Sequence, residues 1–255
     1  MSKKITASIL VIGNEILSGR TQDANIHYLA YELSAKGINV DEVRVIPDVE
    51  QEIIEAVNHC RQKFDYVFTT GGIGATHDDI TAASIAKAFD VPFELHSKAN
   101  RILLDHYGDK ANAARMRMAM MPRGAELIDN PVSKAPGFKM DNVYVFAGVP
   151  LIARAMFEGV KNNLLGGAVT LSRTVSSLDV SEGVIGENLR LVQDQHPDVD
   201  IGSYPFLKFG GFGVNLVVRG VNQALIDAVC EDICAMIKQA GGTVIDGETQ
   251  GEELK

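Results

Sequence analysis

The sequence predicts an α/β fold, a mostly parallel sheet covered on both faces, joined to a second, small α+β domain. Two observations carry this prediction. Between residues 5 and 69, short apolar runs alternate with segments of helical periodicity in the order strand–helix–strand–helix–strand. Beyond Gly166-Gly167 the composition shifts, and Ser and Thr replace continuous aliphatics in the strand-like runs. The expected division is residues 1–167 for the first domain, 168–245 for the second, and a polar, loose tail over 246–255.

Each element follows from its residues. Ile5 to Ile12 is a nearly uncharged run, long enough for a buried strand. Ile26, Leu29, Ala30 and Leu33 recur at helical spacing until Gly37 ends the pattern. Val40 to Ile46 reads as a second strand, Ile53, Ile54 and Val57 as a second helix, and Phe64 to Thr69 as a third strand. Helices are expected from Asp79 or Thr81 to Phe89, from Ser97 to Tyr107, and from Ala111 to Met121. In the last of these, Met116, Met118, Met120 and Met121 would fill irregular gaps between helices. Val143 to Ala147 is strand-like, and Pro150 suits the first turn of a helix reaching Leu165. The second domain reads as a strand over 169–176, a helix over 179–193 and an acidic turn over 196–203. A strand over 213–220, a helix over 225–240 and a last strand at Val244-Ile245 complete it.

Composition narrows the function. The chain has 255 residues, enough for one large or two modest domains. Its formal charge of −9 argues against a broad nucleic-acid surface. Cys60, Cys230 and Cys234 form no CxxC motif, so neither a disulfide framework nor a structural zinc is expected, and a reducing cytoplasm fits. No apolar run reaches the ~18 residues of a membrane span, and the short basic start, without a long apolar run or small-residue cleavage site, is not expected to act as a leader. The expected partner is a small molecule, with a homo-oligomer in keeping with the usual symmetry of soluble proteins.

Two βα junctions carry the candidate chemistry. One reads Gly13-Asn14-Glu15 through Asp23-Ala24-Asn25, the other Thr69-Thr70-Gly71-Gly72-Ile73-Gly74 through Thr76-His77-Asp78-Asp79-Ile80-Thr81. Ligands of parallel α/β sheets bind beyond the C-terminal strand ends, where both junctions belong. Gly71, Gly72 and Gly74 would let backbone N–H groups approach a phosphate, or would simply serve a tight turn. The segment is neither GxGxxG nor a P-loop. Two carboxylates beside a phosphate loop call for a cation, and Mg²⁺, Mn²⁺ or Co²⁺ held by Asp78, Asp79 and Glu15 meets that need. The plainer alternative is that Asp78 or Asp79 caps a helix, as Asp23 would cap the next one, and that His77 is an exposed loop residue. Thr76 and Thr81 offer hydroxyls. A third segment, Asn130 to Phe138, adds Ser133, Lys134 and Gly137 as phosphate contacts, with Phe138 either stacking on a ring or plugging the core. No GxSxG elbow is present, and the helical Cys residues read as structural, so no covalent nucleophile stands out. Asp78 and Asp79 are therefore the candidate catalytic pair.

Residues 13–25, 69–81 and 130–138 together resemble the molybdopterin-binding-type domain of the competence/damage-inducible protein A family, over about residues 4–165, and residues 170–245 resemble the small extension that follows it there. The resemblance implies a three-layer α/β/α sandwich of the molybdopterin-biosynthesis type. It implies a divalent-metal-dependent pyrophosphatase acting on nucleotides such as ADP-ribose or FAD. By motif match, Gly71, Gly72, Gly74, Asp78, Asp79 and Thr81 fall on its ligand- and metal-binding loop, and Glu15, Asp23 and Asn25 on the first loop. Asn14 stands where Asp is usual, which would weaken metal binding, and Ala75 stands where Pro is usual. The deamidase domain of many relatives is not expected in 255 residues. Three readings stay open: nucleotide pyrophosphatase; molybdopterin binding or adenylyl transfer in molybdenum-cofactor assembly; and a noncatalytic nucleotide- or pterin-binding module.

Overall fold

A computed structural model describes residues 4–208 and 211–250. The chain forms two compact units that divide between Ala168 and Val169.

The first unit begins with β1 (Ile5–Ile12), the short helix α1 (Asn14–Leu17), α2 (Asn25–Ala35) and β2 (Ile38–Ile46). It continues through α3 (Glu50–Lys63), β3 (Tyr66–Thr70) and α4 (Thr81–Ala88). Next come β4 (Phe93–Leu95), α5 (Ser97–Tyr107), α6 (Ala113–Arg117) and β5 (Met120–Pro122). The unit closes with β6 (Glu126–Ile128), β7 (Gly137–Met140), β8 (Val143–Phe146) and α7 (Pro150–Lys161).

Among the described residues the main sheet has the order β2-β1-β3-β8-β7-β6. β2, β1, β3 and β8 run parallel, and β7 and β6 extend the edge antiparallel. Successive side chains of a strand face opposite ways. Leu10 and Ile12 accordingly pack with Ile53, Val57, Ile85 and Leu103 of α3, α4 and α5. Ala7, Ile9 and Val11 pack with Leu29, Leu33, Met156 and Phe157 of α2 and α7. Burial on both faces explains why the central strand β1 reads as an almost continuous apolar run, whereas β2, at the sheet edge, carries Asp41, Glu42 and Arg44. The result is the predicted three-layer sandwich.

The methionine run departs from the prediction of a helix to Met121. α6 ends at Arg117, because the amides of Met118 and Ala119 turn back onto the carbonyls of Arg115 and Met116. The chain then extends as β5, which pairs antiparallel with β4, Leu95 opposite Met120 and Phe93 opposite Pro122. Met121 is buried and Met116 and Met118 pack against the core beside it, so the expected gap-filling role stands.

The second unit contains β9 (Leu171–Ser177), α8 (Glu182–Gln195), β10 (Asp200–Lys208), β11 (Gly211–Gly220), α9 (Gln223–Gln239) and β12 (Val244–Asp246). Its antiparallel sheet has the order β10-β11-β9-β12. Val175, Val214, Leu216 and Val218 pack against Ile185 and Val192 of α8 and Ile226, Val229, Ile233 and Ile237 of α9. The acidic segment expected as a turn over 196–203 instead enters β10 at Asp200. Pro205 hides this strand in the sequence; it is tolerated because β10 is an edge. The expected loose tail also starts too early. Asp246 ends β12, and the Thr249 amide donates to the Asn215 side chain at 3.1 Å while the Asn215 amide returns a bond to the Thr249 carbonyl at 3.0 Å. The rest of that tail, 251–255, lies outside the described residues.

Candidate functional site

The sheet order reverses at β1. From β1 the chain passes through α2 to β2 on one flank, whereas β3 pairs on the other. The loops after β1 and β3 therefore diverge, and in parallel sheets such a divergence opens a binding crevice. A cavity of about 620 Å³ lies there, within the ~300–1,000 Å³ of small-molecule sites. Its walls come from the loops after β1 (Ile12, Glu15, Thr21), β2 (Asp48), β3 (71–74, Asp78, Asp79), β6 (Asn130, Ser133, Ala135) and β8 (147–150), with Tyr107, Met118 and Ile152.

In the first loop the Gly13 amide donates to the Ile46 carbonyl at 3.1 Å, which holds the end of β1 against β2. The Glu15 carboxylate folds back over Gly13, where a Cβ would lie 2.6 Å from its oxygens. The Asn14 backbone N–H donates to Asp48 Oδ2 at 2.9 Å. Asp23 caps α2 by accepting from the Ile26 amide at 2.7 Å. Asn25 is only 3% exposed, and its side-chain amide donates to the Gly148 carbonyl at 2.8 Å. It thus pins the first loop to the loop after β8 and does not line the cavity.

The glycine loop is shaped by the protein's own atoms. Gly71 and Gly72 have φ of +103° and +67°, a backbone that side chains resist. A Cβ on Gly71 would lie 2.1 Å from the Ile12 carbonyl oxygen, and one on Gly72 2.1 Å from Thr81 Oγ1. One on Gly74 would lie 2.6 Å from Asp79 Oδ2. The Thr81 amide donates to the Gly72 carbonyl at 3.0 Å. The glycine cluster is thus explained by packing alone. The amides of Gly72, Ile73, Gly74, Gly148 and Val149 point to a ligand instead, since they have no hydrogen-bond acceptor among the described residues. All five residues line the cavity.

Asp79 accepts from the Thr76 amide at 2.8 Å and the Thr76 hydroxyl at 2.5 Å, closing its own loop as a turn cap. His77 is exposed. In the third segment Asn130, 1% exposed, spends its whole side-chain amide on the loop. It accepts from the amides of Val132 and Ser133 at 3.1 and 3.0 Å, and donates to Ser133 Oγ and the Ala135 carbonyl at 2.6 and 2.7 Å. Lys134, with φ +64°, is exposed and outside the cavity walls. Gly137 packs across strands, where a Cβ would lie 2.3 Å from the Val145 carbonyl, and Phe138 plugs the core.

Of the sequence candidates, Glu15, Gly71, Gly72, Gly74, Asp78, Asp79 and Ser133 share the cavity; Asn25, Thr76, Thr81, Lys134 and Gly137 stand behind or beside it. Asp48, Tyr107 and Asn130 are additions. Asp48 carried a readable signal, since it follows a predicted parallel strand by two residues. Among the described residues, four carboxylates line the cavity and no Lys, Arg or His does. Among the described residues, however, no three His, Cys, Asp or Glu come together as a metal-binding group. Asp48 and Asp79 are already engaged by Asn14 and Thr76. The residues present do not fit a divalent cation held by the protein alone, whereas unbonded amides fit the oxygens of a phosphate.

Comparison with known proteins agrees with this architecture. Residues 8–166 match the family model described as "Probable molybdopterin binding domain". Residues 170–243 match the model described as "FAD synthase, middle domain". A protein of Pyrobaculum calidifontis is 36% identical over 211 residues, 78% of this chain and 80% of its own length. A "Probable FAD synthase" of Caenorhabditis elegans is 31% identical over 255 residues, 90% of this chain and 49% of the longer relative. The crystal structure of the protein CinA from Thermoplasma acidophilum superposes with a TM-score of 0.60 at 30% identity, covering 63% of this chain and 99% of that one. No helix among the described residues is long and apolar enough to cross a membrane.

Proposed function

The chain belongs to the molybdopterin-binding-domain family, with a CinA-like first unit and a second unit of the FAD synthase middle-domain type rather than a deamidase, and from that premise we propose that its cleft binds the phosphate end of a pterin or adenine nucleotide. The observation that carries the reading is the group of unbonded amides at Gly72, Ile73, Gly74, Gly148 and Val149 around one cavity. Successive backbone N–H groups at a turn favour anions without a basic side chain. α4 starts at Thr81, behind this loop, and its N-terminal dipole favours the same charge. Binding, or attack of the bound pterin phosphate on the α-phosphorus of ATP with release of pyrophosphate, is therefore preferred over hydrolysis. Calorimetric titration with AMP, ADP-ribose, FMN and a pterin phosphate tests it. Saturable binding at one site without added metal is expected; heat of dilution alone for every ligand contradicts it.

The acidic wall of Glu15, Asp48, Asp78 and Asp79 favours a second reading, hydrolysis of a nucleotide pyrophosphate. Carboxylates so placed repel a phosphate unless a cation arrives with it. Incubation with ADP-ribose or FAD and Mg²⁺, Mn²⁺ or Co²⁺ should then release AMP. Tight binding without AMP release under every metal rules this reading out.

A further inference from the structure

We propose that Tyr107 is the platform on which the planar heteroaromatic ring of the phosphorylated ligand stacks. This rests on the phosphate-cleft reading and assigns the other end of the molecule. Tyr107, the last residue of α5, is the sole aromatic side chain among the described residues lining the cavity. Its ring is fixed from outside the cavity wall. The Arg115 guanidinium lies over it at 4.6 Å from the centroid. Arg115 is itself held, its Nη1 donating to the Lys110 carbonyl at 2.5 Å and its amide to Asn112 Oδ1 at 2.9 Å. His106 meets the ring edge-on at 4.8 Å.

The arrangement divides the cavity by chemistry. The unbonded amides belong to the loops after β3 and β8, whereas Tyr107 and Met118 come from the connection between those strands. Met118 adds a polarizable thioether, which favours contact with a ring edge. An aromatic side chain accepts any flat heteroaromatic, because every base presents a π-face. The arrangement therefore recognises the ring class, whether purine, flavin or pterin, and leaves the phosphate to the amides.

The chain contains no Trp, so Tyr107→Trp introduces a unique fluorophore at the proposed stacking position. AMP and FMN separate the purine and flavin sources, and ribose 5-phosphate lacks a ring. AMP or FMN should quench the Trp emission saturably, while ribose 5-phosphate, bound by calorimetry, leaves it unchanged. In parallel, Tyr107→Ala should weaken AMP or FMN binding about tenfold, with ribose 5-phosphate affinity unaltered; circular dichroism checks that both variants fold. Equal loss for all three ligands, or calorimetric AMP and FMN binding without quenching, overturns the stacking proposal and leaves the phosphate cleft standing. No binding of any of the three to the unsubstituted chain overturns both.

Discussion

Gly71 and Ile12, at the ends of neighbouring strands, approach so closely that a Cβ atom on residue 71 would lie 2.1 Å from the Ile12 carbonyl oxygen. This contact brings the two diverging loops together at the point where the sheet order reverses. Gly71→Ala meets both a positive φ and a backbone atom that cannot rotate away. It should destabilise the first unit by about 2–4 kcal/mol, read from the urea midpoint. An unchanged midpoint would mean that the loop relaxes freely.

Asn130 satisfies four hydrogen bonds from a buried position. Asn130→Ala should cost about 2–3 kcal/mol and release Ser133 from the cavity wall. Thermal unfolding checks the first effect and AMP titration the second, with affinity expected to fall severalfold.

Asp79→Asn separates the two functional readings. The amide oxygen still accepts from Thr76, so the loop keeps its shape. Removing one of four negative charges from the wall should strengthen metal-free AMP binding about two- to fivefold at low salt. Under the hydrolytic reading the same change should instead abolish AMP release from ADP-ribose.

Burial in α9 pushes the Cys230 thiol up from 9.0 to about 11. Folding therefore favours the neutral thiol. The associated stability is present below pH 9, where the thiol is neutral in both states, and is lost as pH rises toward 11. Chemical denaturation of the second unit should show that decline, and Cys230→Ala should flatten it. Cys230 should also resist thiol reagents at pH 8 until the chain unfolds.

The legible parts of the sequence were those governed by one dominant force. The apolar run from Ile5 to Ile12 and the helical spacing of Leu29 and Leu33 report burial directly, and both faces of the sheet followed from them. Ser97 to Tyr107 was readable to the residue. Met120 and Met121 were not, because an apolar run this short is too brief to show whether its period is that of a strand or of a helix. Pro205 concealed an edge strand for the same reason that it is tolerated there. The position of the cavity, at the ends of β1 and β3, was legible, but the contacts of the residues around it were not. Gly71, Gly72 and Gly74 answer to Ile12, Thr81 and Asp79, which no spacing rule reveals. Tyr107 read only as a helix end, since its cavity forms from segments far apart in the chain.

The most direct test of the phosphate cleft is to follow backbone amide resonances of isotope-labelled protein during titration with AMP. Downfield proton shifts are expected, confined largely to Gly72, Ile73, Gly74, Gly148 and Val149 and saturating together with one affinity. Saturable AMP binding that leaves these five resonances in place, while others move, would contradict it.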